Sequence, residues 1–186
     1  MGERGFVVQS CVFYGLMGLI ALAWGSAYGD VSRWLGPPAL ESTLIDAALG
    51  ASLGLVIVAL SHLLERWSTA MQALSTELSS LIPPLSRTSI TLVAVLSALG
   101  EELLFRGAMQ DAWGFWPTVA LFAVVHGLFI RRLWLWMVFA AVTGLGLGAV
   151  AAWSQGLLGV VLAHFTINYF NLGHMSRPRP EVLAAI

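Results

Sequence analysis

The 186-residue chain has no lysine, one cysteine, and charged residues at only 10% of its positions. Soluble domains carry roughly 25% charged residues, so with 58% hydrophobic residues and a mean hydropathy of +0.83 the composition excludes a water-soluble fold. The single thiol, Cys11, cannot close an intrachain disulfide and is expected to pack as a small apolar residue. A net charge of −1 gives no basic field for nucleic acid and no acidic tail for a cationic partner. The first apolar run lacks a small-residue cleavage site after it, so it is expected to be a retained span. No internal repeat or low-complexity tract interrupts the chain.

What is present is a series of long apolar runs, at about residues 6–28, 43–64, 88–112, 116–130, 133–153 and 156–173. Lipid offers no partner to an unpaired backbone group, so all should be helices. The expected fold is all-α: a polytopic membrane bundle of about six transmembrane helices forming a single domain over residues 1–186. Between the second and third runs, Trp67, Met71, Leu74, Leu78 and Leu81 recur every three to four residues. That spacing predicts one more helix, amphipathic and lying on the membrane surface, ended by Pro83 and Pro84. "GDVSRWLGPPALES" after the first run reads as a loop. Gly50 and Gly54, and Gly144, Gly146 and Gly148, form small-residue seams of the kind that let membrane helices approach. Trp24, Trp34, Trp113, Trp116, Trp134 and Trp153 fall near run ends, where interfacial anchoring is expected. His62, His174, Asp46 and Asp111 are likewise expected at the interface.

The arginines orient this bundle. With both termini cytoplasmic, Arg4, Arg66, Arg87, Arg131, Arg132, Arg177 and Arg179 lie inside and Arg33 alone outside, which is the bias that membrane insertion favours.

Against this apolar background the third run carries Glu101, Glu102 and Arg106, although burying one ionisable group in hydrocarbon costs on the order of 3 kcal/mol. Glu102 and Arg106 are four apart on a helix and can pair. Glu101, turned about 100° away, is left without that partner. The fourth run adds Phe122 and His126, and the last adds His164 and Asn168, each pair on one helical face. Glu101 lies about eleven residues before the outer end of its run, His126 about ten after the start of its own, and His164 about eight after the start of the last. At ~1.5 Å per residue all three sit roughly 12–17 Å below the outer surface, which leans towards access from outside. A carboxylate beside a histidine in an apolar pocket can deprotonate water, and His164 with Asn168 can donate to a developing oxyanion. No serine, threonine or cysteine stands beside a base as a nucleophile, so water attacks directly.

EELLFR (101–106), FAVVH (122–126) and HFTIN (164–168) resemble the motifs EExxxR, FxxxH and HxxxN of the CPBP (Abi) family of CAAX-processing and bacteriocin-processing membrane proteases, over about residues 88–173. The resemblance implies a glutamic intramembrane endopeptidase without a cofactor, acting on a membrane-anchored protein or peptide of the sorting-signal or prenylated-tail type, in a bacterial cytoplasmic membrane. It implies Glu101 as base assisted by His126, His164 and Asn168 as oxyanion donors, Glu102 and Arg106 as supports, and Phe122 as a packing residue. The chain's shortness and the outward lean of the depths favour the sorting-signal type. Three alternatives remain open. Glu101, His126 and His164 could hold zinc, although HExxH is absent. The pocket could bind a peptide without cleaving it, as a bacteriocin-immunity protein would. Buried Glu and His also occur in proton-coupled transporters.

Overall fold

The computed structural model describes residues 1–29, 31–35, 40–127, 133–154 and 156–177. Arg131, Arg132 and Arg179, residues 36–39 of the first loop and residues 128–130 of the fourth run lie outside them, as does the side chain of Arg33. Among the described residues every regular element is helical: α1 Glu3–Tyr28, α2 Val31–Leu35, α3 Leu40–Trp67, α4 Thr69–Leu81, α5 Arg87–Glu102, a π-helical stretch Leu103–Met109, α6 Gln110–Trp113, α7 Phe115–Gly127, α8 Trp134–Ser154 and α9 Leu158–Met175. The protein is a helical membrane bundle. Four helical segments are long and apolar enough to cross a bilayer: Glu3–Tyr28, Glu41–Trp67, the continuous Arg87–Trp113, and Trp134–Ser154. The described part of α7 is a shorter apolar helix of 13 residues. α9 carries the polar residues His164, Asn168, Asn171 and His174.

Glycine decides where these helices meet. A Cβ on Gly50 would stand 2.0 Å from the Gly159 carbonyl oxygen, and one on Gly54 would stand 2.8 Å from that of Ala163, so α3 and α9 pack backbone to backbone. Gly100 lets α5 cross α1 in the same way, a Cβ there lying 2.6 Å from the Tyr14 carbonyl oxygen. Gly144 and Gly148 face the rings of Phe122 and Phe115, seating α8 on α7. Gly50→Ala is therefore expected to destabilise the detergent-solubilised protein by about 1–3 kcal/mol or more, because no rotamer moves a carbonyl aside. Gly15→Ala, with no atom within 4 Å of its Cβ and a helix-interior position that favours alanine, should leave the melting temperature level or raise it, and a thermal melt of both variants checks the pair.

The two ends of the bundle are built differently. At one end α1 and α5 begin together: Ser86 N–H and the Ser89 hydroxyl both donate to Glu3 Oε1 at 2.7 Å. Ser86 also caps α5, accepting from Ser89 N–H. At this end α4, capped by Ser68, turns Leu74 and Leu78 inward against Leu133, Trp136 and Met175. Met71, Leu74 and Leu78 of the α4 stripe thus pack on the end of the bundle, while Trp67 and Leu81 at its two ends stay exposed, as suits an amphipathic helix at the membrane surface. At the opposite end, Trp34 is 5% exposed and donates its indole N–H to Asp111 Oδ2 at 2.8 Å. Its ring fills the space left by Gly25 and Gly107, so it is a core residue and not the interfacial anchor expected. Asp46, expected at the interface, is buried at the α3–α9 contact. Trp113, Trp116, Trp134 and Trp153 are exposed on the bundle surface.

Candidate active site

Glu101 and Glu102 end the regular part of α5, with Ser97 one turn before Glu101 on the same face. The helix then widens into the π-helical stretch that carries Arg106, a local irregularity of a kind often found at functional sites. Glu102 is fully buried. Its Oε1 accepts from Arg106 Nη1–H at 3.1 Å and from His164 Nδ1–H at 2.5 Å. Arg106 Nη2–H reaches the Gly144 carbonyl at 3.4 Å, and its guanidinium stacks 4.2 Å from the centre of the Phe122 ring, a buried cation–π contact. Glu102 thus joins the pairing expected with Arg106 to a contact absent from the sequence reading, the anchoring of His164.

Glu101 sits on the other side of this ion pair. Its Oε2 has no hydrogen-bond partner among the described residues and faces His126 Nε2 at 3.7 Å and His164 Nε2 at 3.9 Å. Both imidazoles are fixed from behind. His126 Nδ1 lies 2.6 Å from the Phe122 carbonyl, which can only accept, so Nδ1 carries the proton and Nε2 is turned to the carboxylate. Phe122 places His126 in a second way, ring against ring at 4.4 Å. Asn168 also belongs to this centre, donating from Nδ2 to Ser97 Oγ at 2.8 Å.

Glu101, His126, His164 and Asn168 line one cavity of about 260 Å³. Ser97, Tyr14 and Thr143 line it too, three polar residues that sequence spacing did not single out. Ser97 alone had a local signal, one turn before Glu101. Thr143 Oγ1 is buried without a partner among the described residues. From the polar centre the cavity runs past Trp136 and Phe139 to Phe6, Leu81 and Met175, towards the end that holds the start of α1, helix α4 and the end of α9. That is the opposite end from the one the depth arithmetic favoured. Residue counts give the level of a side chain in the bilayer, whereas the spread of α1, α4 and α8 around the site decides which way the cavity opens.

His62 and His174 stay outside this centre. His174 Nε2 pairs with Glu65 at 3.0 Å, and its ring stacks against His62 at 5.1 Å. Among the described residues no group of three or more His, Cys, Asp or Glu is arranged to hold a metal ion.

The architecture is that of a membrane-embedded helical bundle with a buried carboxylate–histidine centre at the end of a cavity. Residues 83–170, which contain Glu101, His126, His164 and Asn168, match the family model described as type II CAAX prenyl endopeptidase Rce1-like. A relative from Bacillus subtilis (strain 168), named only as the uncharacterized protein YpbD, is 33% identical over 81 residues, which are 42% of this chain and 41% of that protein. The chain thus spans about two fifths of the length of the curated relative that it matches. No solved structure matches it.

Proposed function

We propose that the protein is an intramembrane peptidase of the CAAX type in which Glu101 is the general base on water. The observation that carries this reading is the convergence of Glu101 Oε2 with the Nε2 atoms of His126 and His164, at 3.7 and 3.9 Å, on one cavity. Those gaps are too long for direct hydrogen bonds and suit a shared water. In the proposed reaction Glu101 takes a proton from that water while His126 Nε2 accepts from it. The hydroxide attacks the peptide carbonyl carbon. His164, when both ring nitrogens are protonated, donates from Nε2 to the oxyanion, and Asn168 donates the amide hydrogen that Ser97 does not engage. Collapse of the tetrahedral intermediate breaks the C–N bond, and the proton held by Glu101 passes to the leaving amine.

The arginine bias supports cytoplasmic termini, and in that orientation the cavity opens on the cytoplasmic side of a bacterial-type membrane. The substrate in this reading is a membrane-anchored protein or peptide that presents a cytoplasmic tail, its apolar part lying against Phe6, Leu81, Trp136 and Phe139. This orientation favours the prenylated-tail type over exported sorting signals. The test is mass spectrometry of farnesylated CaaX peptides and of a lipid-anchored sorting-signal peptide after incubation with the protein in vesicles. Release of a C-terminal fragment from the farnesylated peptide is expected. Cleavage of the sorting peptide alone would overturn the substrate assignment.

Ser97 supplies a finer test of the oxyanion role. Asn168→Ala should lower kcat about 10²–10³-fold, the loss seen when one oxyanion donor is removed. Ser97→Ala keeps the amide but frees its rotamer and is expected to lower kcat by about tenfold with KM retained. Equal kcat in Ser97→Ala and wild type would show that Asn168 is placed by other contacts.

A further inference from the structure

A second cavity, of about 270 Å³, lies at the other end of the bundle and belongs to no part of the proposed reaction. Its walls are Trp34, Gln110, Ala151, Gly156 and Leu157, and Arg106 lines it as well. The two cavities approach the ion pair from opposite sides, one ending on Glu101 and the other on Arg106. Two polar atoms of residues lining this second cavity are buried and have no partner among the described residues: Arg106 Nε, a donor, and Gln110 Oε1, an acceptor. Gln110 is held by its other end, Nε2–H donating to the Gly148 carbonyl at 3.0 Å, so the free oxygen is assigned by the network.

A buried donor or acceptor left unsatisfied costs about 1–3 kcal/mol, and native proteins meet such groups with ordered water where the cavity is polar and roomy. The volume holds several water molecules at ~30 Å³ each. We infer that this cavity is a water-filled vestibule, open on the face opposite the chain termini, in which water bridges Arg106 Nε–H to Gln110 Oε1. It solvates the guanidinium from behind and so keeps a full positive charge tolerable within the bilayer, where the alternative is a cation desolvated on that side. The bundle is then hydrated from both faces, with the Glu102–Arg106 pair and the Phe122 ring as the partition between them.

The sole cysteine makes the vestibule testable without any assay of proteolysis, so this inference stands or falls apart from the proposed reaction. In a Cys11→Ser background, Ala151→Cys and Leu157→Cys each place a thiol on the vestibule wall at positions 8% and 6% exposed. Leu147→Cys lies one turn deeper on α8 at a fully buried position outside the cavity, and Trp153→Cys is exposed at the end of the same helix. A membrane-impermeant methanethiosulfonate, added to one face at a time of oriented vesicles, reacts only with thiolate, which requires water. Modification of Ala151→Cys and Leu157→Cys from the face opposite the termini, with Leu147→Cys untouched, is expected. Failure of both to react while Trp153→Cys is modified would show a dry cavity, and reaction only from the terminal face would show that the vestibule opens the other way. Modification of Leu147→Cys as well would dissolve the bounded cavity into general helix opening. Either variant serves alone where the other fails to fold.

Discussion

Glu101→Gln is expected to lower peptide cleavage about 10²–10⁴-fold, the range that a positioned general base contributes, while leaving the protein folded. The second half of that expectation is as specific as the first. Glu101 Oε2 makes no hydrogen bond among the described residues, and its two histidine neighbours stand beyond hydrogen-bond distance. Removing a carboxylate that is only 7% exposed takes away a desolvation cost, breaks no hydrogen bond of Oε2 and gives up only the longer attraction to the imidazoles at 3.7 and 3.9 Å, so the melting temperature should stay level or rise. A structural carboxylate would behave in the opposite way. The measurement is mass spectrometry of a membrane-anchored substrate incubated with each form, beside a thermal melt in the same detergent. Cleavage that persists in Glu101→Gln would remove this residue from the reaction and return the cavity to a binding or transport role. Lost activity together with a lowered melting temperature would make Glu101 a support like Glu102.

Much of this site was legible in the sequence because its signals are local. Glu102 and Arg106, Phe122 and His126, and His164 and Asn168 are each four residues apart, and helical geometry alone puts each pair on one face. Gly50 and Gly54 were readable as a packing seam for the same reason, since a stripe of missing side chains on an apolar helix has little other use. The features that escaped depend on partners distant in the chain. Trp34 looks like an interfacial tryptophan until Gly25 and Gly107 are seen to leave a space for its ring, and Asp111, 77 residues away, accepts its N–H. Asp46 is a carboxylate near a span end in the sequence and a buried residue in the fold, because the α3–α9 contact at Gly159 closes over its turn. Tyr14 and Thr143 join the cavity only through the arrangement of α1 and α8 around α5. The direction in which the cavity opens has the same origin, and residue counting along single helices carries no information about it.

Arg106→Leu is expected to be the most destabilising single substitution near the site, at about 3–5 kcal/mol, the cost of breaking a buried ion pair from one side. The guanidinium is 3% exposed and binds Glu102, the Gly144 carbonyl and the face of Phe122 together. Its loss leaves the Glu102 carboxylate fully buried with His164 as its remaining partner. Lysine should not restore the wild type, because a single ammonium cannot reproduce the planar fork that meets a carboxylate and a carbonyl at once. Urea or heat denaturation in micelles measures the effect. The double variant Glu102→Leu/Arg106→Leu should recover much of the lost stability, since replacing both members of a buried pair by apolar groups is often neutral or better. It should not recover cleavage, because His164 then loses the carboxylate that orients its ring. A double variant that is stable and inactive would separate the two tasks of Glu102, neutralising Arg106 and aiming His164. A double variant no more stable than Arg106→Leu alone would mean that Arg106 stabilises the bundle through Gly144 and Phe122, with its charge of little consequence.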